Sequence, residues 1–146
     1  MKILIATGPL LAQGPSADLA RLLRSRSHRV EFAHLPLFGA SEGRVPLDML
    51  VAASLEVTNT DHVIGIGFPA CVLPFRRTSL WFPEAPPRYT SAEVGRAVGL
   101  AIAAAIGESV IALVASDDVR DALAEIAGVR LDVVPALSDL ADRLLP

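Results

Sequence analysis

Hydrophobic positions along this chain recur in two alternating patterns, which predict strands and helices in turn. Short and almost wholly apolar runs, such as residues 2–7 (KILIAT) and 110–115 (VIALVA), are typical of buried strands. Between such runs, longer segments place leucines at helical spacing, as Leu19, Leu22 and Leu23 do. Because strands joined by helices imply parallel crossovers, the pattern predicts an α/β fold, a single Rossmann-like doubly wound parallel sheet with helices on both faces.

The predicted elements fill one domain that spans residues 1–146. Several helices are expected to begin at a serine, because its hydroxyl accepts N–H groups that the first turn leaves unpaired. The predicted strands cover residues 2–7, 29–35, 61–66, 78–82, 110–115 and 131–134. Three of the predicted helices start at the caps Ser16, Ser116 and Ser138, and Gly128 closes the one that Ser116 begins. Two more cover residues 47–56 and 91–106.

Long loops rich in proline and glycine largely follow the predicted strands, at 8–15, 36–46, 67–77 and 83–90. Doubly wound sheets bind ligands at the carboxyl ends of their strands, so these loops predict a site at that edge. In the first loop, Gly14 precedes a helix, where backbone N–H groups can hold an anion. An ordinary turn is the alternative, since the Gly-Lys-Ser/Thr of a P-loop is missing.

Residues 67–88 concentrate the chain's aromatic side chains and prolines. They hold four of the seven aromatic residues, including the only tryptophan, and five of the eleven prolines. Prolines stiffen the backbone around Glu84 and Arg88, while Trp81 and Phe82 offer a flat apolar surface on which sugars or aromatic rings stack. A structural ion pair between Glu84 and Arg88 beside core aromatics is the alternative interpretation.

Composition narrows the classes of protein that fit. Hydrophobic residues make up 52% of the chain and the mean hydropathy is +0.48, which favours a sheet covered on both faces. The net charge is −3 and the basic residues are dispersed, so no nucleic-acid interface is expected. Cys71 stands alone, which indicates a reducing cytoplasm. No transmembrane segment is expected, because residues 107–109 divide the apolar stretch 97–115, and the three histidines lack metal-ligand spacing.

Several passages together resemble one family of enzymes. They are residues 18–23 (DLARLL), 27–30 (SHRV), 61–64 (DHVI), 67–70 (GFPA), 80–82 (LWF) and 84–88 (EAPPR). In this order they are similar to the N-terminal, acceptor-side domain of family-4 retaining glycosyltransferases of GT-B fold. The resemblance implies that the aromatic and proline-rich passage lines the acceptor side of a cleft. Together with the chemistry of the two loops described above, it predicts substrate-binding roles for Gly14, Phe68, Pro69, Trp81, Glu84 and Arg88.

The same family binds its nucleotide-sugar donor in a second Rossmann domain, marked by two glutamates eight positions apart. No pair of glutamates in this chain has that spacing. The resemblance therefore implies an acceptor-binding half that carries no cofactor itself and needs a separate donor-binding chain. Many relatives place histidine at the end of the third or fourth strand, where this chain has Phe68-Pro69 and Pro83-Glu84, so no catalytic residue is assigned.

Two other functions remain open. The chain is also interpretable as a non-catalytic binding or regulatory domain that partners a glycosyltransferase. A flavodoxin-like or dinucleotide-binding domain is the other alternative: Gly65-x-Gly67-x-x-Ala70 after a strand matches a dinucleotide-binding motif, which requires that a helix begins there, whereas the first loop lacks the hydroxyl-rich sequence by which flavodoxins hold flavin phosphate. For the half-enzyme, aromatic side chains at the carboxyl edge are expected to stay partly exposed and to contact a partner or a second copy. These side chains are Phe68, Phe75, Trp81 and Phe82.

Overall fold

A single parallel sheet of six strands organises the described part of the chain. The computed structural model describes residues 1–7, 14–34, 60–68, 70–72 and 78–146. The strand order is β2-β1-β3-β4-β5-β6, and every neighbouring pair is parallel. This confirms the predicted doubly wound α/β fold. The strands are β1 (Lys2–Thr7), β2 (Arg29–His34), β3 (His62–Ile66), β4 (Thr78–Phe82), β5 (Ile111–Val114) and β6 (Asp132–Val133).

Four helices and a short 3₁₀ turn at Ala70–Val72 accompany these strands within the described residues. Ser116 caps its helix as predicted, and Ser91 caps the preceding helix rather than lying within it; each accepts a hydrogen bond from the backbone N–H three residues later. The predicted caps Ser16 and Ser138 are wrong, since both serines lie inside their helices. The helices are α1 (Pro15–Ser25), α2 (Ala92–Glu108), α3 (Asp117–Ala127) and α4 (Leu137–Leu144). The helix predicted over 47–56 lies outside the described residues.

Helices cover both faces of the sheet, so two cores form. On one face, α1 and α4 pack over side chains that include Ile5, Ile66 and Trp81. On the other face, α2, α3 and the 3₁₀ turn pack over Phe82 and Val114. Successive residues of a strand point to opposite faces, which is why the adjacent aromatic residues of β4 enter different cores.

Connections leave the sheet in opposite directions at β1 and β3. The chain passes from β1 to β2 at one edge, whereas β3 and the later strands run in order toward the other edge. Flavodoxin-like domains share this order for their five strands, and their ligands bind at the carboxyl ends of the strands where the direction reverses. The carboxyl edge of the sheet is therefore the place to look for a site.

Candidate functional site

The connections that follow β3 and β4 start side by side at the carboxyl edge of the sheet. The backbone N–H of Gly67 donates to the carbonyl oxygen of Trp81 over 2.9 Å, which holds the two strand ends level. The ring of Phe68 then meets the ring of Tyr89 edge to face, with centroids 6.5 Å apart and an interplanar angle of 89°. This contact ties the end of β3 to the loop of residues 83–90.

A groove opens between that loop and the two helices on the same face of the sheet. Its volume is about 460 Å³, which lies in the range of small-molecule sites. The loop supplies one wall, α2 a second and α3 a third. The lining residues are Ala85, Pro86, Pro87, Arg88 and Tyr89 from the loop, Gly95 and Arg96 from α2, and Ala122, Glu125 and Ile126 from α3.

Charged side chains in this groove, which we call the loop groove, are exposed. Arg88, Arg96 and Glu125 have no ion pair or hydrogen bond to other described residues. Elsewhere on α3 the arginine at position 120 is already engaged, since its guanidinium lies 3.1 Å from Asp117. Because guanidinium groups donate in a fork that matches carboxylates, phosphates and paired hydroxyls, Arg88 and Arg96 can hold such a group.

Two prolines fix the backbone that presents Arg88. Pro86 is buried while Pro87 and Arg88 are exposed, so the loop is anchored two residues before Arg88. Each proline restricts φ to about −65°, which limits the freedom of the loop before any ligand binds. A binding group on a fixed backbone loses less conformational entropy when it engages a ligand.

Neighbouring titratable groups stay neutral at physiological pH. Burial raises the pKa of Tyr89, and the nearby Cys71 raises it further. Burial also raises the pKa of the Cys71 thiol, to about 12. The formal charges at the loop groove are therefore those of its two arginines and its glutamate.

The ion pair between Glu84 and Arg88, which was the alternative interpretation of this passage, does not form. Both side chains are exposed, and neither is paired with any other described residue. Glu84 lies two residues past the end of β4, whereas Arg88 lines the loop groove. The two charges framing the prolines are thus separate, and each is open to solvent or a ligand.

The expectation that Trp81 and Phe82 are partly exposed is wrong. Trp81 is only 4% exposed and Phe82 is fully buried, so neither ring offers a surface for stacking or for a partner. Trp81 lies between Ile66 and Leu113 of the neighbouring strands, and its indole N–H has no partner among the described residues. Phe68 is partly exposed, while Pro69 and Phe75 lie outside the described residues.

Gly14 stands at the N-terminus of α1, next to the end of β1. Its carbonyl oxygen accepts the backbone N–H groups of Ala17 and Asp18. Nearby, the buried hydroxyls of Thr7 and Ser16 lie 3.3 Å apart and link the strand end to the helix. Most of the loop that would complete an anion site, residues 8–13, lies outside the described residues, so that role of Gly14 stays a prediction.

Other candidate motifs do not build a site in the described part of the chain. Ala70–Val72 forms a 3₁₀ turn, where a dinucleotide fingerprint requires an α-helix. His62 begins β3 and His28 precedes β2, so both lie at the amino edge of the sheet, opposite the loop groove. Among the described residues, no three histidine, cysteine, aspartate or glutamate side chains cluster as metal ligands. None of the helices in that part of the chain combines the length and the hydropathy that a membrane span needs.

Comparisons with known proteins found no relative of this chain. No model of a protein family matches this chain, and neither curated proteins nor solved structures give a match.

Sequence reasoning missed two residues of the loop groove, Arg96 and Glu125. Arg96 is the only basic residue of α2, a helix that is otherwise mostly apolar, and this isolation was a usable signal. Glu125 carries no such signal, because its place in the groove depends on how α3 packs beside α2.

Proposed function

We propose that this chain is the acceptor-binding half of a GT-B-type glycosyltransferase, with a separate donor-binding chain supplying the nucleotide-sugar. The observation that carries the proposal is the loop groove. One of its walls contains Ala85-Pro86-Pro87-Arg88, which belong to the 84–88 passage, one of those that carry the resemblance to family-4 glycosyltransferases. Two arginines and a glutamate line it without being paired to one another or to other described residues.

The chemistry of the groove suits a hydroxyl-rich or acidic acceptor. A guanidinium can donate two hydrogen bonds to neighbouring hydroxyls or to a carboxylate, and Glu125 can accept from a further hydroxyl. We assign Arg88 and Arg96 to acceptor binding. Glu84 lies outside the loop groove, at the carboxyl edge of the sheet, two residues past the end of β4. No residue of this chain is assigned a step in sugar transfer, which falls to the complex with the donor-binding chain. We place this activity in the cytoplasm, where the lone Cys71 stays reduced.

Acceptor binding is tested by titrating the isotope-labelled chain with simple glycans and sugar acids while recording amide resonances. Shifts are expected at Tyr89, Gly95 and Arg96, with few shifts at the amino edge. Arg88→Ala should weaken binding by about tenfold or more, because a bidentate hydrogen bond to a charged group is lost. Arg130→Ala removes an exposed arginine outside the groove and should change nothing. Shifts spread over the whole chain would contradict the assignment.

Dependence on a partner is tested by assaying glycosyl transfer from nucleotide-sugars. The chain alone should give no turnover, and addition of a donor-binding chain should restore it. Robust transfer by the chain alone would overturn the half-enzyme proposal.

A thermal-shift assay with flavin and nicotinamide nucleotides tests the third alternative, since the strand order is shared with flavodoxin-like domains. A thermal shift with either nucleotide would favour that alternative.

A non-catalytic binding or regulatory domain is the second candidate. It is favoured by the described residues that line the loop groove, because no histidine is among them that could act on a bound sugar. The two candidates differ in the reconstituted complex. If the chain binds acceptor, Glu84→Ala and Arg88→Ala slow transfer, whereas a regulatory domain leaves the transfer rate unchanged by either substitution.

A further inference from the structure

The outward face of α2 is apolar over about three turns. Leu100 is 68% exposed at its centre, and Val110, just past the end of the helix, is 60% exposed. They are two of the three large hydrophobic side chains exposed among the described residues, the third being Met1. The exposed residues of the face between Arg96 and Glu108 are Ala97, Leu100, Ala101, Ala104 and Gly107.

The opposite face of the same helix is already occupied. Val98 and Ile102 are buried in the core beneath α2, and a methyl group at Gly99 would come within 2.2 Å of the backbone oxygen of Ile126 in α3. The helix is therefore held firmly on the sheet, and no described element covers Leu100. Contiguous apolar surface of this kind usually marks an interface.

Charge brackets the apolar face in a self-complementary way. Arg96 and Glu108 lie at its two ends, and neither has an ion pair or a hydrogen bond within the described part of the chain. Their charges are opposite, and Ile102 lies midway between them along the helix. A surface that is basic at one end and acidic at the other matches a second copy of itself turned end over end.

We propose that a second copy of this chain covers this face, with two α2 helices packed antiparallel about a two-fold axis at the level of Ile102. Leu100 then faces the partner's Ala104, and Ala97 faces the partner's Gly107. Arg96 faces the partner's Glu108. Each contact occurs twice by symmetry, and the small residues let the helices approach to the usual 8–10 Å between axes.

The remaining charged residue of the helix does not oppose this arrangement. Glu93 lies in the first turn, where a carboxylate complements the helix dipole. At this register Glu93 lies opposite position 111, which belongs to β5 and is already past the end of the partner's α2. Since one pair of helices over three turns buries less than the roughly 1,200 Å² of a stable interface, the dimer is weak and depends on concentration.

Sedimentation velocity from micromolar to millimolar concentration tests the contact. The unchanged chain should pass from monomer to dimer, and Leu100→Glu should remain monomeric throughout. Glu108→Arg should raise the dissociation constant about tenfold, because two attractive pairs become repulsive. The double variant Arg96→Glu with Glu108→Arg should restore it. Arg130→Glu, the same kind of charge reversal outside α2, is the control, and circular dichroism verifies that each variant folds.

Cross-linking tests the antiparallel register. A mixture of Leu100→Cys and Ala104→Cys chains should form a disulfide-linked dimer more readily than either chain by itself, because positions 100 and 104 face each other. The native Cys71 does not interfere, since it is buried. A chain that stays monomeric at every concentration, a dimer that tolerates Leu100→Glu, or Leu100→Cys cross-linking best with itself would each overturn the proposal. Arg96 belongs to both the loop groove and this face, whereas Leu100, Ala104 and Glu108 lie outside the groove, so Leu100→Glu and Glu108→Arg test dimerisation separately from acceptor binding.

Discussion

The Nε2 atom of His62 lies 2.8 Å from the backbone oxygen of Leu144, which is 82 residues further along the chain. Ser79 joins the same buried contact, donating its hydroxyl to that oxygen over 2.6 Å and lying 2.8 Å from the imidazole. The last carbonyl groups of a helix lack partners within the helix, so these two side chains supply the end of α4 with hydrogen bonds. The start of β3 thereby holds the C-terminal helix on the sheet.

Stability should fall as the pH drops through about 6.5. Burial lowers the pKa of His62 in the folded chain, while the unfolded chain takes up a proton near the ordinary pKa of 6.5. Below that pH the unfolded state binds more protons than the folded state, so the free energy of unfolding declines until the folded imidazole is also protonated. The slope from one such group is at most about 1.4 kcal/mol per pH unit. Urea unfolding at a series of pH values measures it.

His62→Gln is the informative variant for this pH dependence. A glutamine amide can still donate to the oxygen of Leu144 but does not titrate, so part of the slope near pH 6.5 should disappear. His28→Gln removes an imidazole outside the network and is the control. An unchanged slope in His62→Gln would show that another group causes the loss of stability.

Replacing Gly99 by alanine should strongly destabilise the fold. The added methyl group would lie 2.2 Å from the backbone oxygen of Ile126, and backbone in α3 cannot move aside as a flexible side chain can. Overpacking of this kind costs about 1–3 kcal/mol, and the upper part of that range is expected here. Gly95→Ala in the same helix is the matched control. No atom lies within 4 Å of its new methyl group, so better helix propensity should stabilise the fold by about 0.5–1 kcal/mol.

Trp81 should behave as a core residue in solution. It is the only tryptophan, so fluorescence reports on it alone, and its emission should be blue-shifted in the native chain and move to longer wavelength on unfolding. Trp81→Ala should cost about 3–5 kcal/mol of stability because a large cavity is left. Phe68→Ala, at a partly exposed ring, should cost less. Native emission at the wavelength of the unfolded chain would contradict the burial.

The sequence was sufficient for the strands but not for the surroundings of Trp81. Apolar runs such as residues 2–7 predict a strand whatever lies next to them, and a serine cap such as Ser116 acts within one turn. The sequence around a tryptophan at the end of a strand does not show whether a ligand or a helix covers its side chain. Here the cover belongs to the same core as Leu140 of α4, about sixty residues later.

The same limit applies to the loop groove and to His62. Local pattern identified Arg88 and the stiff prolines around it, because prolines restrict the backbone wherever they stand. Arg96 and Glu125 join Arg88 only through the packing of α2 and α3. For His62 the sequence shows only that it lacks metal-ligand spacing, whereas its partner, a backbone oxygen of the last helix, is brought to it by the packing of α4.

Cys71 should be inert in the native chain and reactive only when the fold opens. The thiol is buried, and burial raises its pKa to about 12, so almost none of it is the nucleophilic thiolate near neutral pH. A disulfide reagent should therefore react in step with opening of the 3₁₀ turn at Ala70–Val72, and at once in urea. Leu100→Cys supplies an exposed thiol as the positive control, and Gly99→Ala should speed the reaction of Cys71 because its fold opens more often. Rapid modification of the unchanged chain without denaturant would mean that Cys71 is accessible in the native state.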